Sequence, residues 1–132
     1  EDIVYIHQYM RHTNNPITVI SVNKVKPVKE YFELLSPLYD YLRIVVFVDN
    51  TKNDVHNPYM LIWRVTNNMD ALRDIFVSDL TVGVDGTNKS KIDGFVREWP
   101  DDVDCTLSVV NSLKERGLWD LDDEAFDKFQ LL

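Results

Sequence analysis

Three histidines, one cysteine and two loops rich in acids, amides and glycine hold the residue types that could do chemistry in this sequence. His7, His12 and His56 are the imidazoles available for metal ligation or proton transfer. No two of them stand at helical ligand spacing, and none heads an H-x-x-E pattern. His56 reads as an ordinary loop residue. Cys105 lies near the start of an expected helix, where the macrodipole favours a thiolate. Asp101, Asp102 and Asp104 oppose that, so Cys105 is read as structural. The stretch "DNTKND", residues 49–54, carries acids after a strand, a place where α/β proteins hold ligands. Its spacing matches no metal loop, and turn formation by Asn50, Asn53 and Asp54 accounts for it.

The second loop, "GVDGTNKSKIDGFVREWPDD" over 83–102, contains three of the four glycines in the chain. It matches neither the Walker pattern nor a dinucleotide fingerprint, and no helix follows Lys89. Gly83 and Gly86 can still expose backbone amides, and Lys89, Lys91 and Arg97 give local positive charge. The stretch therefore reads as a long ordered loop suited to contact with an anion or a partner. Nine of the 22 acids cluster in a polar tail, where water equalises their pKa values. No dyad, triad or nucleophile emerges, and neither a catalytic residue nor a metal ligand is expected in this chain.

The charge balance excludes one class of partner. The net charge is −8, and residues 101–132 alone contribute −6. An acidic chain without a basic stripe is poorly suited to phosphate backbones, so nucleic acid is not an expected partner. A single cysteine cannot close an intramolecular disulfide, which points to a reducing cytoplasm. No apolar run approaches the roughly 20 residues that a membrane span needs. A first residue of Glu1 rather than methionine reads as a domain cut from something longer.

The elements that must position these residues form one 132-residue α/β domain. "DIVYIHQYM" and "ITVISVNK" alternate or run β-branched around a turn and predict an antiparallel hairpin. Residues 27–42 place Val28, Phe32, Leu35 and Leu38 on one helix face, with Pro37 ending the helix near Ser36. "RIVVFVD", 43–49, predicts a central strand buried on both faces. Asn57 and Pro58 open a helix to about residue 68. "RDIFVSD" and "LTVGVD" predict two short strands. A helix capped by Asp102 then carries Val103, Leu107, Val110 and Leu113 on one face and ends at Gly117. A short helix through Phe126 and Phe129 closes the chain. The sum is a mixed β-sheet with flanking helices, an N-terminal hairpin and a βαβ-type crossover.

On these residues the sequence resembles the C-terminal domain of the UbiD family of decarboxylases. Gly83, Asp85, Thr87, Asn88 and Lys89, followed by Arg97, Glu98 and Trp99, match the family's glycine-hydrophobic-Asp-Ala-Thr-x-Lys segment and its Arg-Glu-Trp, with Gly86 in place of the alanine. Trp63, Asp70, Arg73 and Asp74 match the helix and D-x-x-R-D turn upstream. Asp49-Asn50-Thr51-Lys52 departs from the family's run of three acids.

The resemblance implies a non-oxidative decarboxylase of aromatic or unsaturated acids, with polyprenyl-hydroxybenzoate or a related quinone-pathway acid as the default substrate. It implies prenylated FMN with Mn2+ and K+ in a preceding split-barrel domain, where the catalytic arginine and glutamates reside. This chain would then be the oligomerising, pocket-closing domain, inactive alone, with Leu80 and Val82 facing substrate. Its partners would be the upstream domains and further copies of itself, with peripheral membrane contact only through a lipidic substrate. Two other readings stay open: a stand-alone acidic interaction module, and a nucleotide- or phosphate-binding protein, which the missing loop motifs weaken.

Overall fold

A computed structural model of the protein describes residues 2–130. Strands β1 (Ile3–Tyr9) and β2 (Ile17–Val22) form the expected antiparallel hairpin. The chain continues through α1 (Val28–Leu34), β3 (Ile44–Asp49), α2 (Pro58–Asn68), β4 (Ile75–Ser78) and β5 (Thr81–Asp85). It ends with α3 (Leu107–Glu115) and α4 (Asp123–Phe129). The sheet order is β1-β2-β3-β5-β4. β2–β3 and β3–β5 are parallel, and the two outer pairings are antiparallel. The fold is therefore the mixed-sheet α/β domain that the alternation of elements predicts.

β3 is central because its apolar run can face both ways: Val45 and Phe47 lie under α1, Val48 under α2, and all three are fully buried. On the α1 face they join Ile20, Val22, Val28, Tyr31 and Phe32. There Gly83 is required by packing. A Cβ at this position would stand 2.6 Å from Phe32 Cδ2, so the ring rests directly on the β5 backbone. On the other face, α2 sets Leu61 against Val19, Val48 and Val55. Asn57 caps α2 by accepting from the Met60 amide, with Pro58 at the first helical position.

That second face is only part covered. Two rows of β-branched residues cross four strands in register: Ile17–Ile44–Val82–Val77 and Val19–Val46–Val84–Ile75. α2 closes over Val19, whereas Val77 at the edge is 72% exposed.

The helix expected from residue 27 ends near Ser36 as the sequence suggests: it stops at Leu34, and only a 3-10 turn (Ser36–Leu38) follows, because Pro37 lacks the amide that the next helical turn needs. Two local expectations are corrected. Asp102 does not cap α3. It is drawn to Arg64 on α2, so residues 101–106 stay irregular and α3 begins at Leu107 with Thr106 at its cap position. Val103 and Leu107 are consequently exposed, and Val110 is the fully buried member of the expected face. Gly117 terminates α3 in the left-handed region, as the sequence suggests. α4 carries Phe126 and Phe129, while Leu131 and Leu132 of the expected segment lie outside the described residues.

Candidate functional site

The loop after β5 folds around two buried lysines. Lys89 reaches back under β5. Its Nζ donates to the carbonyls of Asp85 (3.0 Å) and Thr87 (2.9 Å), 2.9 Å from Asp85 Oδ1 and 3.6 Å from Asp74 Oδ1. Its side chain is entirely out of solvent. Lys24, just past β2, donates to Thr87 Oγ1 (2.9 Å), the Asn88 carbonyl (2.7 Å) and Asp93 Oδ2 (2.6 Å). An ammonium has three protons and nothing to accept with, so three acceptors on each lysine satisfy it fully.

The loop's own donors are also consumed. The Gly86 amide donates to the Phe47 carbonyl, Thr87 to Asp85 Oδ1, Asn88 to Asp49 Oδ2 and Ser90 to Asp93 Oδ2, all at 2.7–2.9 Å. Ser90 and Asp93 form a reciprocal capping box around the 3-10 turn Lys91–Asp93, and Gly94 closes it at φ 73°. Asn68, at the end of α2, donates to the Gly86 carbonyl and to Asn88 Oδ1. The ends of β2, β3 and α2 thus all grip one loop.

Burial and pairing set the carboxylates apart. Burial pushes Asp49 above the usual carboxylate range, and the Asn88 amide and Lys24 oppose this without cancelling it. Burial would also raise Asp74, but the two-pronged hydrogen bond from Arg73, the Asp70 amide and the Lys89 charge outweigh it and hold Asp74 below that range. Midway along α2, Arg64 donates both terminal nitrogens to Asp102 and holds its carboxyl low against the effect of burial. Every group in the loop network has a partner, so no nucleophile or proton-transfer residue is left free within it. What the arrangement does is fix a backbone.

The residues singled out in the sequence are divided by the structure. Gly83 and Asp85 point to the α1 side of β5, and Thr87 and Lys89 are core members of the network. Arg97 and Glu98 are exposed and outside it. Trp99 stands edge-on to Phe95 (5.2 Å), whose ring lies between the guanidinium groups of Arg73 (5.9 Å) and Arg97 (5.7 Å). Leu80 is exposed in the β4–β5 turn beside Asp79, and Val82 lies half-buried on the open sheet face.

The expectation that Gly83 and Gly86 expose free amides beside an open Lys89 is corrected. Gly83 is buried within β5, the amides of Gly86, Thr87 and Asn88 are occupied, and Lys89 is enclosed. Cys105 is likewise not a packed residue, being exposed ahead of α3. The turn role given to Asn53 and Asp54 is seen: Asn53 Nδ2 donates to the carbonyls of Asp49 and Thr51, and Asp54 accepts the His56 amide.

Sequence reasoning missed Lys24, Asp93 and Asn68, which lie up to 69 residues from their partners and follow no periodic pattern. It also missed that β1 brings His7 within 4.4 Å, ring centre to ring centre, of His56.

The fold and its lysine-locked loop define a small mixed-sheet domain in which Asp85, Thr87 and Lys89 serve architecture. The sequence profile of the 3-octaprenyl-4-hydroxybenzoate carboxy-lyase C-terminal domain matches residues 1–90, and the chain belongs to that family. An uncharacterized protein of Helicobacter pylori (strain ATCC 700392 / 26695) is 47% identical over 119 residues, covering 89% of this chain and 19% of its own length. One from Archaeoglobus fulgidus is 33% identical over 94 residues, covering 58% of this chain and 19% of its own. This chain thus spans about a fifth of the length of the curated relatives it matches.

Among solved structures, vanillic acid decarboxylase of Sedimentibacter hydroxybenzoicus in its open form superimposes with a TM-score of 0.60 at 20% identity, over 87% of this chain and 29% of that one. An evolved dimeric form of the UbiD-class enzyme HmfF from Pelotomaculum thermopropionicum, in complex with prFMN, gives 0.51 at 22% identity, over 71% and 22%. At these identities the likeness is one of fold.

The residues of this chain do not fit as holders of prenylated FMN or its ions. The loop amides that could cradle a phosphate are bonded within the loop, and a Cβ at Gly86 would meet Val65 Cγ2 at 2.7 Å rather than open space. Among the described residues no three His, Cys, Asp or Glu side chains converge as a metal site. None of the described helices is long and apolar enough to cross a membrane.

Proposed function

We propose that this chain serves a longer, cytoplasmic, non-oxidative decarboxylase of the UbiD class, acting on an aromatic or unsaturated carboxylic acid. Polyprenyl-hydroxybenzoate or a related quinone-pathway acid is the first substrate to test. The prenylated FMN, with Mn2+ and K+, is held by the preceding domains, and this domain closes one side of the substrate pocket and contributes to self-association. The observation that carries the reading is the family match over residues 1–90, which ends on the loop network. The prFMN complex of a fold neighbour and the vanillate activity of another support the cofactor and substrate class.

In this reading the chain's own residues position rather than react. The network holds β5 and the loop as one rigid piece, so Leu80 and Val82, on the β4–β5 turn and the open face, present apolar surface to the substrate ring. A lipidic substrate would bring the enzyme to a membrane surface without any span. The test is decarboxylation, and carboxyl exchange with labelled CO2, by the full-length protein loaded with prenylated FMN, Mn2+ and K+, on a panel of aromatic acids that includes vanillate. Turnover is expected, and Leu80→Ala should shift KM between small and prenylated acids by about tenfold, the effect of a few methylene contacts. Absence of turnover and exchange across the panel, with the flavin bound, would favour a binding module.

A further inference from the structure

We propose that the open, α2-side face of the sheet, apart from Val82 where it borders the substrate pocket, docks an apolar surface from the preceding part of the same, longer polypeptide. This rests on the reading of the chain as a C-terminal piece. The face has an unusual make-up for a chain in which 27% of residues are charged. Its eight cross-strand positions, Ile17, Ile44, Val82 and Val77 in one row and Val19, Val46, Val84 and Ile75 in the other, contain no charged or polar side chain. One-sided sheets alternate apolar inward with polar outward. This sheet carries apolar side chains on both faces: α1 covers one, and α2 reaches only part of the other.

Where α2 stops, an open groove of about 330 Å³ runs between Ile62 and Val65 of the helix and Ile17 and Val46 of the sheet. Single exposed apolar residues need no explanation, but a contiguous apolar face with a groove marks a contact surface.

The occupant follows from length and hydrogen-bonding chemistry. The matched family is a C-terminal domain by definition, and the curated relatives carry about four-fifths of their length outside the matched segment. These eight positions offer no side-chain donor or acceptor, and the polar side chains at the margin, Tyr9 and Thr66, are bonded to the carbonyls of Val55 and of Ile62 and Trp63. A bare loop laid on the face would lose hydrogen bonds with water and gain none, whereas a helix or side-chain layer would not. An apolar helical or side-chain surface of the preceding domains is the chemistry that fits.

The experiment is thiol labelling of full-length Val77→Cys, read peptide by peptide by mass spectrometry and compared with the same protein in denaturant. Val77 is 72% exposed in this domain alone, so an undocked face predicts labelling within about threefold of the unfolded rate. Docking predicts labelling slowed by about twentyfold or more, equally at every protein concentration. Fast labelling overturns the proposal, as does protection that appears only as concentration rises, which would assign the face to a second copy.

Val77→Asp supplies an independent reading. It should leave the domain folded, since the site is at an edge, and split the full-length protein's thermal unfolding into separate transitions. A single unchanged transition overturns the proposal. Neither readout needs activity: slow labelling in an inactive protein removes the decarboxylase reading alone, and fast labelling in an active one removes only the docking.

Discussion

At the scale of single residues, Lys89 carries the most consequence. Its ammonium is sealed beneath β5 between Asp85 and Asp74, both of them buried. Two ions taken from water are costly, and removing one partner leaves the other charge uncompensated. Lys89→Met is therefore expected to cost about 3–5 kcal/mol in urea denaturation, with the double variant Lys89→Met/Asp85→Asn recovering part of that loss. Absence of any recovery would mean that the two groups do not act as a pair. The sequence shows Asp85, Thr87 and Lys89 as a motif, but it does not show what they do. Lys24, Asp49 and Asp93 meet them only once β2, β3 and the loop are side by side, and no local pattern encodes that meeting.

At the scale of elements, α2 and β5 fit through one missing methyl group. Gly86 stands where the family motif has alanine, and Val65 of α2 occupies the space a Cβ would take, with the Phe47 carbonyl 3.1 Å away. Val65 is stiff at χ1, so it cannot swing aside cheaply. Gly86→Ala should destabilise by about 1–3 kcal/mol, and Val65→Ala should relieve most of that in the double variant. Purely additive thermal shifts would show that the contact is not the cause. Elements with strong local chemistry were the legible ones: the β-branched run of β3, the Asn57-Pro58 start of α2, and Gly117 after α3. α3 was misplaced at its start because Asp102 is a good cap whose stronger offer comes from Arg64, 38 residues away in sequence. A long-range ion pair overrode a local signal, and only the folded chain reveals it.

At the scale of the whole molecule, the carboxylates give stability a predictable pH profile. Asp74 and Asp102 titrate below their unfolded range in the folded protein. Their contribution is fully present above about pH 4 and is lost as pH falls through the folded values. Asp49 titrates above its unfolded range, so its ionisation costs stability at neutral pH, and that cost is relieved as pH falls toward about 4. Urea midpoints taken from about pH 3 to 7 should therefore peak on the mildly acidic side of neutral and then drop. Asp49→Asn, which keeps an acceptor for the Asn88 amide, should remove the rise, and Asp102→Asn should soften the drop. A curve that Asp49→Asn leaves unchanged would place the rise elsewhere. Finally, the lock on the loop spans the chain from Lys24 to Asp93, with Asp49 and Asn88 between them. Contacts so distant in sequence form only after the strands they join have paired, since loop-closure entropy must be overcome first. The lysine-held loop is accordingly a brake on unfolding rather than a nucleus for folding. The part of the sequence most recognisable to the eye is the part that the folding chain is expected to complete last.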